Sequence, residues 1–154
     1  MTSGALRRRV QAYLGDHRVM TLATSGGEGL WAAAVFYVHE GCALYFLSDP
    51  TSRHGRNIAR SSRVSATIQE DYSDWRAIKG IQLEGIVTRL SGDEEQRIRG
   101  LYAAKFPLLG KLADAPGAIV EALAKVSWYK LTPERAYFID NSIAFGHRDD
   151  IDLR

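Results

Sequence analysis

At 154 residues, 45% hydrophobic and 25% charged, the chain has the size of one domain and a composition that excludes a disordered or fibrous protein. Lys and Arg total 20 against 18 Asp and Glu, a net charge of +2 that gives no general footprint for nucleic acid, although arginines gather at 7–9 and between 53 and 63. Its single cysteine, Cys42, excludes an intrachain disulfide, and no apolar run is long enough to cross a bilayer, so the expectation is a cytoplasmic protein without a membrane or nucleic-acid partner.

Residues 5–14 place Leu6, Val10, Tyr13 and Leu14 on one helical face and Arg7, Arg8 and Gln11 on the other. This is a short amphipathic helix docked on the body, expected to stop at Gly15. Its arginines form either a solvated face or a contact for an acidic partner. Residues 19–24 make a first strand, and the glycine-rich run 25–29 a hairpin connection into a second, 30–38. That second strand contains Ala32, Ala33 and Ala34, poor strand residues because they offer little to pack. They either relieve crowding inside a barrel or let a flat ligand approach the backbone, and the residues alone leave both open. Residues 39–41 turn into a third strand, 42–48, with Cys42 read as a buried structural thiol.

The third strand ends abruptly in Ser48-Asp49-Pro50-Thr51-Ser52, before a short helix carrying Arg53, His54, Arg56, Asn57, Arg60 and Arg63. Asp49 is expected as N-cap with Pro50 at the first helical position. Arg53 and His54 then have the wrong sign for the positive end of the helix dipole. Hydroxyls, free N–H groups and cations at one helix start suit an anion, phosphate above all. A solvated basic helix is the other reading.

Residues 64–70 form a fourth strand and 75–90 a long fifth, in which Ile81, Leu83 and Val87 alternate with Gln82, Glu84 and Thr88. Gly80 and Gly85 predict bends or bulges. Ser91-Gly92-Asp93-Glu94 is a capping box for a helix to about Phe106, with Ile98, Leu101 and Tyr102 inward and Pro107 as its stop. Asp114-Ala115-Pro116 opens a further short helix through Ala124, with Ile119, Val120 and Leu123 as its apolar positions. Residues 126–131 and 135–140 read as two strands around a Thr132-Pro133-Glu134 turn, and 141–154 as a polar tail. The fold class is therefore α+β, mainly β: a single domain over 1–154 with N-terminal helix 1–15 and tail 141–154. Tight connections predict an antiparallel sheet curled into a barrel with short flanking helices.

His17, His39, His54 and His147 are scattered without metal-ligand spacing, so no metal site is expected. The carboxylate pairs Asp71/Asp74 and Asp149/Asp150 lie in polar segments and read as solvated. No motif identifies a nucleophile or general base; catalytic residues stay unassigned, and any redox chemistry belongs to a cofactor.

The run Ser48-x-x-Thr51-Ser52-Arg53-His54-Gly55-Arg56-Asn57-Ile58-Ala59, followed by residues 62–68, resembles the flavin-binding split-barrel superfamily that includes pyridoxamine 5'-phosphate oxidase. Trp75-Arg76-x-Ile78-Lys79-Gly80-Ile81-Gln82-Leu83-x-Gly85 is similar to it too, as is the ending from Leu131 to Asp140 through Phe145-Gly146. The resemblance spans roughly 16–148 and implies a homodimer with flavin mononucleotide (FMN) in grooves between the chains. Carried over, it implies that Ser52, Arg53 and His54 hold the FMN phosphate with Ser48 or Thr51 assisting. Ala33, Ala34 and Val35 would present backbone to the isoalloxazine ring, which favours the close-approach reading of the alanines. Gln82 would bond the ring edge, and a partner chain would supply Trp128 or the 145–148 tail with Arg148. The implied activity is hydride exchange with a small-molecule substrate. A flavin-binding sensor or reservoir and a reductase using the deazaflavin F420 are the alternatives. The longer C-terminal segment of the vitamin B6 oxidase, with paired arginines and a tryptophan, has no match here, which separates the chain from activity on pyridoxamine phosphate.

Overall fold

The molecule is built on one antiparallel sheet. β1 (Val19–Gly26) and β2 (Gly29–Phe36) form a hairpin around Gly27 and Glu28, pairing Gly26 with Gly29 and Val19 with Phe36. β3 (Val38–Glu40), β4 (Ala43–Ser48), β5 (Arg63–Gln69), β6 (Lys79–Arg89), β7 (Ser127–Asp140) and β8 (Arg148–Asp150) follow. The computed structural model describes residues 2–107 and 117–154, and every strand pairing among them is antiparallel. The order across the sheet is β2-β1-β5-β6-β7-β4-β3, with β8 beside β7. Its two end strands, β2 and β3, are consecutive in the chain with only Tyr37 between them. A flat sheet would hold them at opposite edges, so this one curls until its ends meet. That curl is the split barrel, and the outer edge of β2 has no strand partner among the described residues.

Met20, Leu22, Leu44, Phe46, Ile68, Ile81, Leu131 and Phe138 fill the barrel. α1 (Ser3–Asp16) adds Leu6, Val10, Tyr13 and Leu14 to the same core. At the seam, fully buried Tyr37 donates to the Leu14 carbonyl at 2.7 Å. A smaller cluster of Val38, Tyr45, Leu90, Ile98, Tyr102 and Trp128 lies on the other face of β4 and β7, beneath α3 (Gly92–Lys105). Successive residues of β4 therefore feed different cores, Leu44 and Phe46 one and Tyr45 the other.

Several expected boundaries shift for identifiable reasons. α1 continues through Gly15 to Asp16, because Lys105 of α3 donates to the carbonyls of Leu14 at 3.3 Å and His17 at 2.5 Å, satisfying the helix end. The expected strand 30–38 breaks at Tyr37, the seam residue. Trp75–Ala77 is a 3-10 turn, so β6 starts only at Lys79. Ser91 occupies the N-cap of α3 but makes no side-chain capping bond, and Leu101 is 38% exposed and not inward. The two final strands are one continuous β7. Glu84 pairs with Arg135 and Gly85 with Pro133, so Thr132-Pro133-Glu134 is a bulge with Glu134 left over, not a turn. The expected tail contains β8, which pairs with β7, and Ile151, which enters the core. α4 (Gly117–Ala124) is present, while its expected start at 114–116 lies outside the described residues.

Candidate functional site

α2 (Arg53–Arg60) leaves β4 and leads to β5, packing on the β1–β2 hairpin. Ile58 enters the barrel core, and buried Asn57 donates to Thr24 Oγ1 at 3.1 Å. Asp49 and Pro50 do not start this helix. The Asp49 carboxylate folds onto its own turn, accepting from Thr51 Oγ1 at 2.7 Å and Thr51 N at 2.8 Å. Those two bonds hold its pKa below the usual carboxylate value. With Asp49 spent on an Asx turn, the N-cap passes to Ser52. Its Oγ accepts from Gly55 N at 3.1 Å and donates to the Asp49 carbonyl at 2.7 Å.

Three expected site residues meet here. Ser48 Oγ lies 2.7 Å and Ser52 Oγ 3.4 Å from His54 Nε2. Burial lowers the His54 pKa below its ordinary value, so the imidazole is neutral at pH 7. Two hydroxyls, an imidazole nitrogen and the N–H groups of a helix start can hold an anionic oxygen. Thr51 is exposed and directed to Asp49. Arg53 turns toward the hairpin, donating to the carbonyls of Glu28 at 2.8 Å and Leu30 at 3.3 Å, with its guanidinium 4.2 Å from the Trp31 ring centre. Its Nε is buried without a partner among the described residues. Arg56 forms a two-pronged pair with Glu28 at 2.7 and 2.9 Å.

The remaining expected residues fall elsewhere on the barrel. The carbonyls of Leu30 and Phe36 both turn away from β1, to Arg53 and to Tyr102 Oη at 3.4 Å. Strand period two gives the main-chain groups of Ala32 and Ala34 the same outward direction. Ala34 is exposed, Ala33 half-buried and Val35 buried in the core. Gln82 faces outward into a cleft of about 300 Å³ shared with Ser65, Glu84, Arg135, Tyr137 and Arg148. Arg148 lies 4.3 Å over the Tyr137 ring. Trp128 is on the opposite side, 5% exposed beneath α3, edge-on to Tyr102 at 5.2 Å, with Arg99 5.3 Å over its ring. So covered by its own chain, the indole has little surface left for a second one. Phe145, 80% exposed, stands edge-on to Trp75.

Two residues that the sequence reading passed over lie beside the α2 start. Ser127 pairs directly with Ser48 across β7 and β4, and both are buried. The Arg89 guanidinium donates to Ser127 Oγ. The available signal was phase: Arg89 continues the alternation of Ile81, Leu83 and Val87 at the end of β6, where its side chain is exposed. Among the described residues no group of three or more His, Cys, Asp or Glu is placed to hold a metal, and no helix is long and apolar enough to cross a membrane.

An antiparallel barrel closed between consecutive strands, with a helix start after the fourth strand carrying Ser48, Ser52 and His54, defines a split-barrel protein. Residues 6–140 match the model of the pyridoxamine 5'-phosphate oxidase family, and the chain belongs to that family. It is 32% identical over 138 residues to a UPF0306 protein of Klebsiella pneumoniae strain 342, covering 88% of this chain and 86% of that one. Among solved structures it is similar to a heme binding protein from Mycobacterium smegmatis, with 26% identity and TM-score 0.72 over 93% of this chain and 57% of that one. A FAD-binding protein from Mesorhizobium loti shares the fold at 20% identity and TM-score 0.63, over 85% of this chain and 91% of that one.

Proposed function

We propose that the chain is a cytoplasmic flavoprotein that binds FMN through the start of α2 and exchanges hydride with a small-molecule substrate. The observation that carries this reading is the meeting of Ser48, Ser52 and His54 at a capped helix start in a chain of this family. The Nε of Arg53, buried and without a partner among the described residues, is a donor of the kind that a phosphate oxygen accepts from. Ser52, Arg53 and His54 would hold the phosphate with Ser48, while the outward main chain of Ala32 and Ala34 offers a surface for a flat ring. FMN supplies the redox chemistry when bound; the protein's part is to position it and exclude competing reactions. A homodimer completes the reading. β2 and the sheet beside it expose Leu30 and Phe36 at 82% and 55%, an edge and apolar surface that a second copy would cover. The Gln82–Arg148 cleft then opens onto the groove between chains.

Purified protein should take up FMN, with flavin absorption bands and quenched flavin fluorescence on titration. Absence of both sinks the proposal. The likeness to the Mycobacterium smegmatis protein favours a second reading, a non-catalytic binder of haem or flavin. A Soret band without flavin uptake selects haem. Bound flavin that NAD(P)H reduces without turnover of any screened substrate selects a reservoir or sensor. Mass spectrometry of the co-purified ligand separates FMN from F420.

A further inference from the structure

The start of α2 contains an uncharged His54 and an Arg53 whose NH2 is engaged by the carbonyls of Glu28 and Leu30. Arg56 is paired with Glu28. Arg89 differs from these. Its partner is a hydroxyl, and no described carboxylate forms an ion pair with it. It stands exposed at the end of β6, and Ser127 holds it. Ser127 is directly opposite Ser48, and Cβ atoms of directly opposed antiparallel residues lie about 4.5–5.5 Å apart. Arg89, Ser127, Ser48, His54 and Ser52 thus form a row of polar neighbours that runs from the surface at Arg89, past buried Ser127 and Ser48, to half-buried His54 and Ser52. Ser127 and Ser48 are 5% and 7% exposed, and a barrel core does not gather buried hydroxyls without partners to satisfy them.

We propose that Arg89, positioned by Ser127, is a further anion-binding residue of the α2 site and supplies charge to the phosphate that Ser48, Ser52 and His54 receive. For flavin this rests on the FMN reading above. The consequence is selectivity: Arg89 favours phosphorylated over unphosphorylated flavin and leaves ring binding untouched.

The test measures FMN and riboflavin affinity for wild type, Arg89→Gln and Arg89→Lys, with inorganic phosphate as a separate probe in thermal unfolding. Arg89→Gln should weaken FMN at least tenfold with riboflavin unchanged, and Arg89→Lys should recover most of the loss. Phosphate should stabilise wild type and not Arg89→Gln. Equal losses for FMN and riboflavin, or FMN affinity unaltered, overturn the assignment while the flavin reading stands. If wild type binds phosphate in an Arg89-dependent way but takes up no FMN, the flavin reading falls and the Arg89 assignment survives. If wild type binds neither, both fall.

Discussion

At the α2 start, single atoms decide what the segment does. Ser52 Oγ accepts from Gly55 N as the helix cap and lies beside His54. Ser52→Ala should therefore lower stability by about 1 kcal/mol, the usual loss for an N-cap, read as a drop in the urea midpoint at constant slope. An unchanged midpoint would mean that the cap contributes nothing here. His54 gives a pH signature. Its folded pKa is held by burial below the ordinary 6.5, so on acidification the unfolded chain takes up the proton first. The contribution of the neutral ring is complete above about pH 6.5 and is lost as pH falls through the folded value. Nuclear magnetic resonance should show His54 titrating below 6.5, and His54→Gln should flatten the acid side of the stability profile. A His54 pKa at or above 6.5 contradicts the buried geometry.

The elements show which parts of the fold were legible in the sequence. β6 is legible by its alternation and α1 by its apolar stripe, because each buries one face in the same core. β7 was divided in two because Pro133 looks like a turn residue. Only the partner strand reveals that it occupies a bulge opposite Gly85. β8 was invisible because Arg148, Asp149 and Asp150 have no apolar pattern; main-chain pairing to β7 holds them. The same limit applies to the site. Ser48, Ser52 and His54 are close in sequence and were found together, whereas Arg89 and Ser127 meet only through the β6–β7 and β4–β7 registers. The bulge offers a test of that long-range geometry. A Cβ at position 85 would lie 2.2 Å from the Thr132 carbonyl oxygen and 2.8 Å from Pro133 Cα, both main chain of the facing strand. Gly85→Ala should cost about 3 kcal/mol, the upper range for overpacking, because neither atom can rotate away. A Tm within a degree of wild type would show that the bulge relaxes freely.

For the molecule as a whole, the distribution of cover is uneven. α3 shields one face of β4 and β7, and α2 packs on the β1–β2 hairpin, but the outer row Ala34, Thr21, Thr67, Gln82, Tyr137 runs across five neighbouring strands with none of its members buried. Small and polar side chains keep this face flat, and it adjoins both the outward main chain of β2 and the Gln82–Arg148 cleft. On the proposed reading, one surface then does two things: it joins two copies and forms a wall of each cofactor groove. The two properties should fail together. Thr67 is in the middle of the row, its hydroxyl donating to neighbouring Gln69 at 2.8 Å and to no core residue among those described, so a longer side chain there extends into solvent in a single chain and leaves the core alone. Light scattering should give wild type twice the chain mass of 17.1 kDa. Thr67→Arg should give the single mass with an unchanged far-ultraviolet spectrum, because two arginines would be pressed together at a symmetric contact. The same variant should lose FMN at protein concentrations that saturate wild type. A Thr67→Arg protein that remains dimeric rules out this face as the contact, and a monomer that binds FMN with wild-type affinity places the whole flavin site within one chain.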